Sequence, residues 1–317
     1  MKPIAAVFVV VWLLSRVACN TLIAEPGMPK VSIETLFSDA TAERNIETRK
    51  GVPYGEGDRH KLDIYEPSES ARRGPIVIFY YGGGWTSGDR AFYGFVGSAF
   101  AKRGFTTVVP DYRLYPEAAF PGFVTDAALA YGWVAQNLAA GGNAADQRRP
   151  IFVVGHSAGA HIAALLAFDA HYLGAVLATN AMRPAGLIGL SGPYAFDPTT
   201  WNTTREIFKT AARQPDQARP VALVTSEAPP TLLIHGQSDD VVTVEAARQL
   251  YRVLTTKGVD ATKIEYPGVG HVGLILTLSR PLRWRADVLD QSVAFIAKHA
   301  GTTRRELGTI GVHDAAE

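Results

Sequence analysis

Residues 151–168 read IFVVGHSAGAHIAALLAF, and this stretch decides the fold. Its opening residues are apolar at consecutive positions, which suits a central strand covered on both faces rather than one alternating between core and water. Its last ten residues are Ala-rich and apolar, a helix pattern. Between them Gly155-His156-Ser157-Ala158-Gly159 is a G-x-S-x-G sequence with a strand before it and a helix after it. That context marks a nucleophile elbow, where a serine stands on a sharp, strained turn. The flanking glycines are needed because side chains on either side of such a turn would collide. The helix N-terminus then places free amides and the positive end of a dipole beside the hydroxyl.

Outward from the elbow, short β-branched runs alternate with helical patterns. Strands are expected at 61–65, 75–81, 106–111, 151–155, 187–191, 231–235 and 262–266. Helices are expected at 91–102, 122–139, 158–170, 244–257 and 283–300. This alternation predicts an α/β architecture with a mostly parallel central sheet flanked by helices. Residues 193–229 interrupt it with Trp201, an expected helix at 204–212 and several prolines, so they read as a small cap-like insertion over the active-site edge. The catalytic domain is expected to span 50–300, after an N-terminal extension at 20–49 and before a solvated tail at 301–317.

The chain has 317 residues, 31 Lys+Arg against 30 Asp+Glu, and is 47% hydrophobic. That balance excludes a disordered chain and gives no electrostatic footprint for nucleic acid. A single cysteine, Cys19, excludes an internal disulfide and a cysteine-based zinc or iron–sulfur site. The N-terminus has Lys2 followed by an apolar run at 4–14, too short to span a bilayer comfortably and shaped like an export signal. Arg16-Val17-Ala18-Cys19 also resembles a lipobox, with Arg16 where leucine is favoured. Residues 1–19 are therefore read as a signal peptide or lipoprotein leader. The expected address is periplasmic, membrane-associated or secreted, with Cys19 as the residue a lipid tether would use.

A serine hydroxyl needs a base, a group that orients the base, and donors for the developing oxyanion. Tyr81-Gly82-Gly83-Gly84-Trp85 ends an earlier strand, and its glycines let backbone amides approach a ligand. The donors expected there are the N–H groups of Gly83 and Gly84, joined by that of Ala158 after the serine. In this strand-turn-helix setting the partners follow in the order serine, acid, histidine. Asp239 and Asp240 follow the strand at 231–235, and both are candidates for the acid. His271, one strand end further on, is the expected base. His235 precedes the acid and breaks the order, and His156 is expected to pack beside the elbow. Tyr81, Trp85, His156, Tyr194, Phe196 and Trp201 are candidates for the substrate pocket.

Taken together YGGGW, DYRLYPE at 111–117, FPGFVTD at 120–126, GHSAGAH, HGQSDDVV and GVGH resemble the α/β-hydrolase superfamily over about residues 50–300. The resemblance is to its esterase branch: BD-FAE-type feruloyl esterases, hormone-sensitive-lipase-like carboxylesterases, kynurenine formamidases and isoprenylcysteine methylesterases. It implies a cofactor-free serine hydrolase with Ser157, Asp239 and His271 as triad, the HGxxD pattern selecting Asp239 over Asp240. The family's glycine motif usually begins with histidine. Tyr81 stands there instead, which leaves the glycine amides intact but changes whatever the first ring holds. The expected substrate is a small aliphatic or aryl ester, with N-formylkynurenine or a prenylcysteine methyl ester as alternatives. From another class, a non-catalytic binding protein on the same fold is the rival.

Overall fold

The computed structural model describes residues 46–67, 74–139, 148–177 and 183–301. The expected leader with Cys19, most of the N-terminal extension and the C-terminal tail lie outside the described residues. Among the described residues no helix is long and apolar enough to cross a membrane.

Eight strands follow in chain order: β1 (Glu47–Pro53), β2 (Lys61–Glu66), β3 (Ile76–Tyr80), β4 (Thr106–Pro110), β5 (Ile151–His156), β6 (Gly186–Leu190), β7 (Thr231–Gly236) and β8 (Ala261–Tyr266). Seven α-helices accompany them among the described residues: α1 (Gly94–Ala101), α2 (Gly122–Asn137), α3 (Ala158–Phe168), α4 (Ala170–Gly174), α5 (Glu245–Thr256), α6 (His271–Leu276) and α7 (Val288–His299). The strands form one sheet in the order β1-β2-β4-β3-β5-β6-β7-β8. The pairs β1–β2 and β2–β4 are antiparallel, and the rest are parallel. This is the α/β-hydrolase fold.

The parallel strands were legible because they are buried on both faces. Every residue of β3 has zero exposure, and each large side chain so buried contributes about 1.5–3 kcal/mol. Helices α1 and α7 share one face of the sheet, while α2, α3 and α4 pack together on the other. From β3 the chain turns to β4 on one side, and from β5 it turns to β6 on the other. In open α/β sheets the crevice at such a reversal, outside the carboxyl ends of the strands, is where ligands bind. Here that crevice lies between Tyr81–Trp85 and Ser157.

Several elements differ from expectation, among them the short helices α4 and α6, neither of which the pattern signalled, and a 3₁₀ turn, Arg90–Tyr93, that opens the expected helix at 91–102. Strand β1 was not foreseen, and it draws residues 47–49 out of the expected extension and into the sheet. As an exposed edge it carries no apolar alternation to signal it. The expected helix at 204–212 is instead a run of turns with one 3₁₀ turn, Lys209–Ala211. Its conformation is set by tertiary anchors: Phe120 N–H donates to the Ile207 carbonyl at 2.9 Å, and Phe208 is fully buried. The expected helix at 283–300 divides into a 3₁₀ segment, Arg280–Arg285, and α7.

Candidate active site

Ser157 joins β5 to α3 with φ 54° and ψ −122°, a left-sided conformation that costs a non-glycine residue on the order of 1–3 kcal/mol. Surrounding contacts enforce it. A Cβ on Gly155 would lie 2.3 Å from the Gly159 carbonyl oxygen, and one on Gly159 would lie 2.0 Å from that of Tyr80. Both glycines of the elbow are thus fixed by close backbone approach. The Ser157 amide is anchored to the Leu190 carbonyl of the neighbouring strand at 2.9 Å.

On the facing strand end, Gly83 and Gly84 have φ of 136° and 60°. The Gly83 carbonyl accepts the amides of Thr86 and Ser87, both at 3.1 Å, and the Ser87 hydroxyl at 3.0 Å. A Cβ on Gly83 would lie 2.0 Å from the Ser87 carbonyl oxygen. Among the described residues no backbone carbonyl accepts from the amides of Gly83, Gly84 or Ala158. Three donors are therefore left open beside the serine.

Asp239 and His271 meet at the ends of β7 and β8. The loops that carry them touch: Ser238 N–H donates to the Val269 carbonyl at 3.1 Å, and a Cβ on Gly236 would lie 2.1 Å from that same oxygen. His271 Nδ1 donates to Asp239 Oδ2 at 2.8 Å, and Asp239 Oδ1 accepts the amides of Val241 at 3.0 Å and Val242 at 2.8 Å. Asp240 is exposed. Burial alone would raise the Asp239 carboxyl, but the hydrogen bonds from His235 and His271 outweigh it and hold the group well below the usual carboxylate range. A fixed negative charge on Nδ1–H leaves the Nε2 lone pair of His271 as the basic atom.

His235, set aside on chain order, has a place in this array. Its Nε2–H is shared between the Val242 carbonyl at 2.8 Å and Asp239 Oδ2 at 3.3 Å. The four-residue spacing from His235 to Asp239 around a tight turn was the available signal. His156 packs as expected: its ring lies 4.8 Å from that of His271, and its Nε2 donates to the His271 carbonyl at 3.1 Å. Burial, aided by the nearby His271, lowers its pKa to about 3, so it is neutral. Its Nδ1 and the Ser157 Cβ each lie 3.0 Å from where a Cβ on Gly82 would stand. Among the described residues no hydrogen bond yet joins the Ser157 hydroxyl to His271, a contact that commonly tightens only with substrate bound.

The pocket candidates separate into three groups. Tyr81 is a correction: its ring is fully buried behind the loop, and its hydroxyl is engaged by Asp111 and Arg59, so it does not face the substrate. Tyr194 is a second correction, with zero exposure and its ring over β6, where Cβ atoms on Gly189 and Gly192 would meet it at 2.0 and 2.4 Å. Trp85, Phe196 and Trp201 instead form a chain of rings. Trp85 is 4% exposed beside Phe208 and His161, Phe196 lies 6.4 Å from it, and Trp201 lies 6.0 Å beyond at 53% exposure. The insertion is fastened to α3 where His161 Nε2 donates to the Ala218 carbonyl at 2.8 Å.

The BD-FAE family model matches residues 62–254, more than half of the chain. The isoprenylcysteine alpha-carbonyl methylesterase ICME of Arabidopsis thaliana is similar at 27% identity over 304 residues, covering 89% of this chain and 68% of the relative. Esterase LipC of Mycobacterium tuberculosis is similar at 31% identity over 250 residues, covering 73% of this chain and 61% of the relative. Among solved structures, a thermophilic esterase of Thermogutta terrifontis shares the fold with a TM-score of 0.64 at 21% identity, over 82% of this chain and 96% of that one.

Proposed function

Because the chain belongs to the BD-FAE family, we propose that it is a serine carboxylesterase that hydrolyses small aliphatic or aryl esters through an acyl-enzyme. In this reading Ser157 Oγ attacks the ester carbonyl while His271 Nε2 takes its proton. Asp239 fixes the imidazole tautomer and stabilises the imidazolium that forms. The amides of Gly83, Gly84 and Ala158 receive the oxyanion. His271 then protonates the leaving alcohol, and a water activated by the same ring releases the acid and restores the serine.

The observation that carries the reading is the 2.8 Å bond from His271 to Asp239 beside a serine held at φ 54°. Strained backbone of this kind gathers at functional sites, which suits a nucleophile at Ser157. The run of rings from Trp85 to Trp201 supports an apolar or aromatic substrate group approaching along the insertion. An exported address, with Cys19 as a lipid attachment point, belongs to the same proposal and is tested by mass spectrometry of the mature N-terminus.

Ser157→Ala is the deciding experiment. Hydrolysis of p-nitrophenyl acetate and butyrate should fall by roughly 10⁴–10⁶-fold, and a fluorophosphonate probe should no longer label the protein. Undiminished hydrolysis would remove Ser157 from the mechanism. Wild-type protein that is silent toward the probe would point to the binding-protein rival. Running N-formylkynurenine and a prenylcysteine methyl ester alongside the acyl series identifies the substrate class.

A further inference from the structure

Tyr81 stands immediately before the glycines that carry two of the oxyanion donors, and its surroundings are unusually charged for a fully buried ring. The ring is sandwiched between Tyr93 at 5.3 Å and Tyr112 at 4.7 Å. Its hydroxyl donates to Asp111 Oδ1 at 2.7 Å and accepts from Arg59 Nη2 at 2.7 Å. Arg59 uses the same nitrogen on the Gly88 carbonyl at 2.8 Å, and its Nε on the Tyr112 carbonyl at 2.8 Å. Asp111 also accepts the Arg90 amide at 2.9 Å and the Arg90 guanidinium, which reaches on to Asp63 at 2.9 Å. The Tyr112 hydroxyl closes the set by donating to the Tyr81 carbonyl at 2.7 Å.

These contacts grip the segment on both sides of its glycines: at the carbonyl and hydroxyl of residue 81, and at the carbonyl of residue 88 and the amide of residue 90. A Cβ on Gly88 would lie 2.5 Å from the Tyr81 ring, so the two ends of the segment also touch each other. The glycines between them have no side chains to anchor and the widest conformational freedom of any residue. Donors that stabilise an oxyanion must be aimed before the charge develops. Two arginines and two aspartates balance in charge, which makes their burial tolerable.

We propose that Arg59, acting through Tyr81 and Asp111, is a positioning residue that aims the Gly83 and Gly84 amides. It rests on the oxyanion role given to those amides above. Arg59 lies in the turn between β1 and β2, so the clamp ties the antiparallel edge of the sheet to the glycine segment.

The test uses Tyr81→Phe, Arg59→Met and the double variant, with enzyme concentration set by titrating Ser157 with a fluorophosphonate. Each single variant should lose about tenfold in kcat on p-nitrophenyl acetate, with KM within about twofold. The inhibition constant of a trifluoromethyl ketone, which mimics the oxyanion, should rise in proportion. The double variant should lose little more than either single one, because both remove the same linkage. Tyr81→Phe leaves Arg90 on Asp111, so it carries the test if Arg59→Met fails to fold. Folded variants with wild-type kcat and inhibitor affinity would overturn the proposal, as would fully additive losses. Either result would leave the Ser157-dependent reaction standing, whereas activity surviving Ser157→Ala would instead remove the esterase reading.

Discussion

The two sides of the crevice are built by different means. On the proposed acid–base side, Asp239 lies in the loop after β7 and His271 opens α6 after β8, and short hydrogen bonds within and between these segments hold them. On the proposed oxyanion side, the donors belong to a glycine turn whose own hydrogen bonds gather on a single carbonyl, that of Gly83. Its ends are gripped by a partly buried cluster of arginine, aspartate and tyrosine drawn from the turn between β1 and β2, from β2, from the 3₁₀ turn before α1 and from the residues after β4. One side is held by the two loops that carry it, which bond to each other across 32 residues of sequence. The other is gripped at its ends by side chains of elements that carry none of the proposed donors.

Substitutions on the two sides should therefore fail differently. The largest effect is expected from Asp239→Asn, which keeps the shape but loses the charge that sets the His271 tautomer. kcat should fall about 10⁴-fold, with melting temperature little changed. A loss under about tenfold would break the picture of a locally held pair. On the other side Gly83→Ala places a methyl 2.0 Å from the Ser87 carbonyl and demands φ 136° of alanine. The loop must move, so kcat should fall by roughly 10²–10³-fold while fluorophosphonate labelling of Ser157 slows in parallel. Normal turnover would show that the loop's geometry is not what catalysis uses.

The smallest effect concerns acid. Folded His156 is neutral down to about pH 3, whereas the unfolded chain takes up that proton near pH 6.5. Between those values the unfolded state binds more protons, so stability rises with pH and is lost as pH falls below about 6.5. The slope is up to about 1.4 kcal/mol per pH unit for this group. His161, lowered to about 4 by burial, adds a slope of the same sign. His156→Gln should flatten the fall of the urea midpoint between pH 6 and 5. An unchanged slope would mean the ring is not buried as a neutral group.

How far the sequence reached follows the same division. Runs such as IVIFY and IFVVG announce central strands because burial on both faces leaves no polar positions. The elbow and the position of His271 could be read because a strained turn and a chain order constrain residue types locally. Asp239 and Asp240 could not be told apart by composition. The choice is made by the turn, where the amides of Val241 and Val242 meet one carboxylate while the other stays in water. Tyr81 was misplaced in the pocket because a YGGGW motif does not say which way its ring turns. That direction is set by Arg59 and Asp111, 22 and 30 residues away, which no local pattern links to it. Strand β1 escaped notice for a related reason. An exposed edge is selected for charge rather than apolar alternation.

That edge bears on how the molecule keeps to itself. A sheet of eight strands ends in two margins whose unpaired amides and carbonyls are a template for another strand. Strand β1 carries Glu47, Arg49, Lys50 and Pro53, and its register shifts between Arg49 and Val52. Strand β8, at the far margin, sets Lys263 beside Glu265, with Arg248 of α5 reaching over the same carboxylate. Charge, proline and an irregular register make both margins poor partners for edge-to-edge pairing. The strand that leads into the Arg59 turn thus also guards the sheet against aggregation.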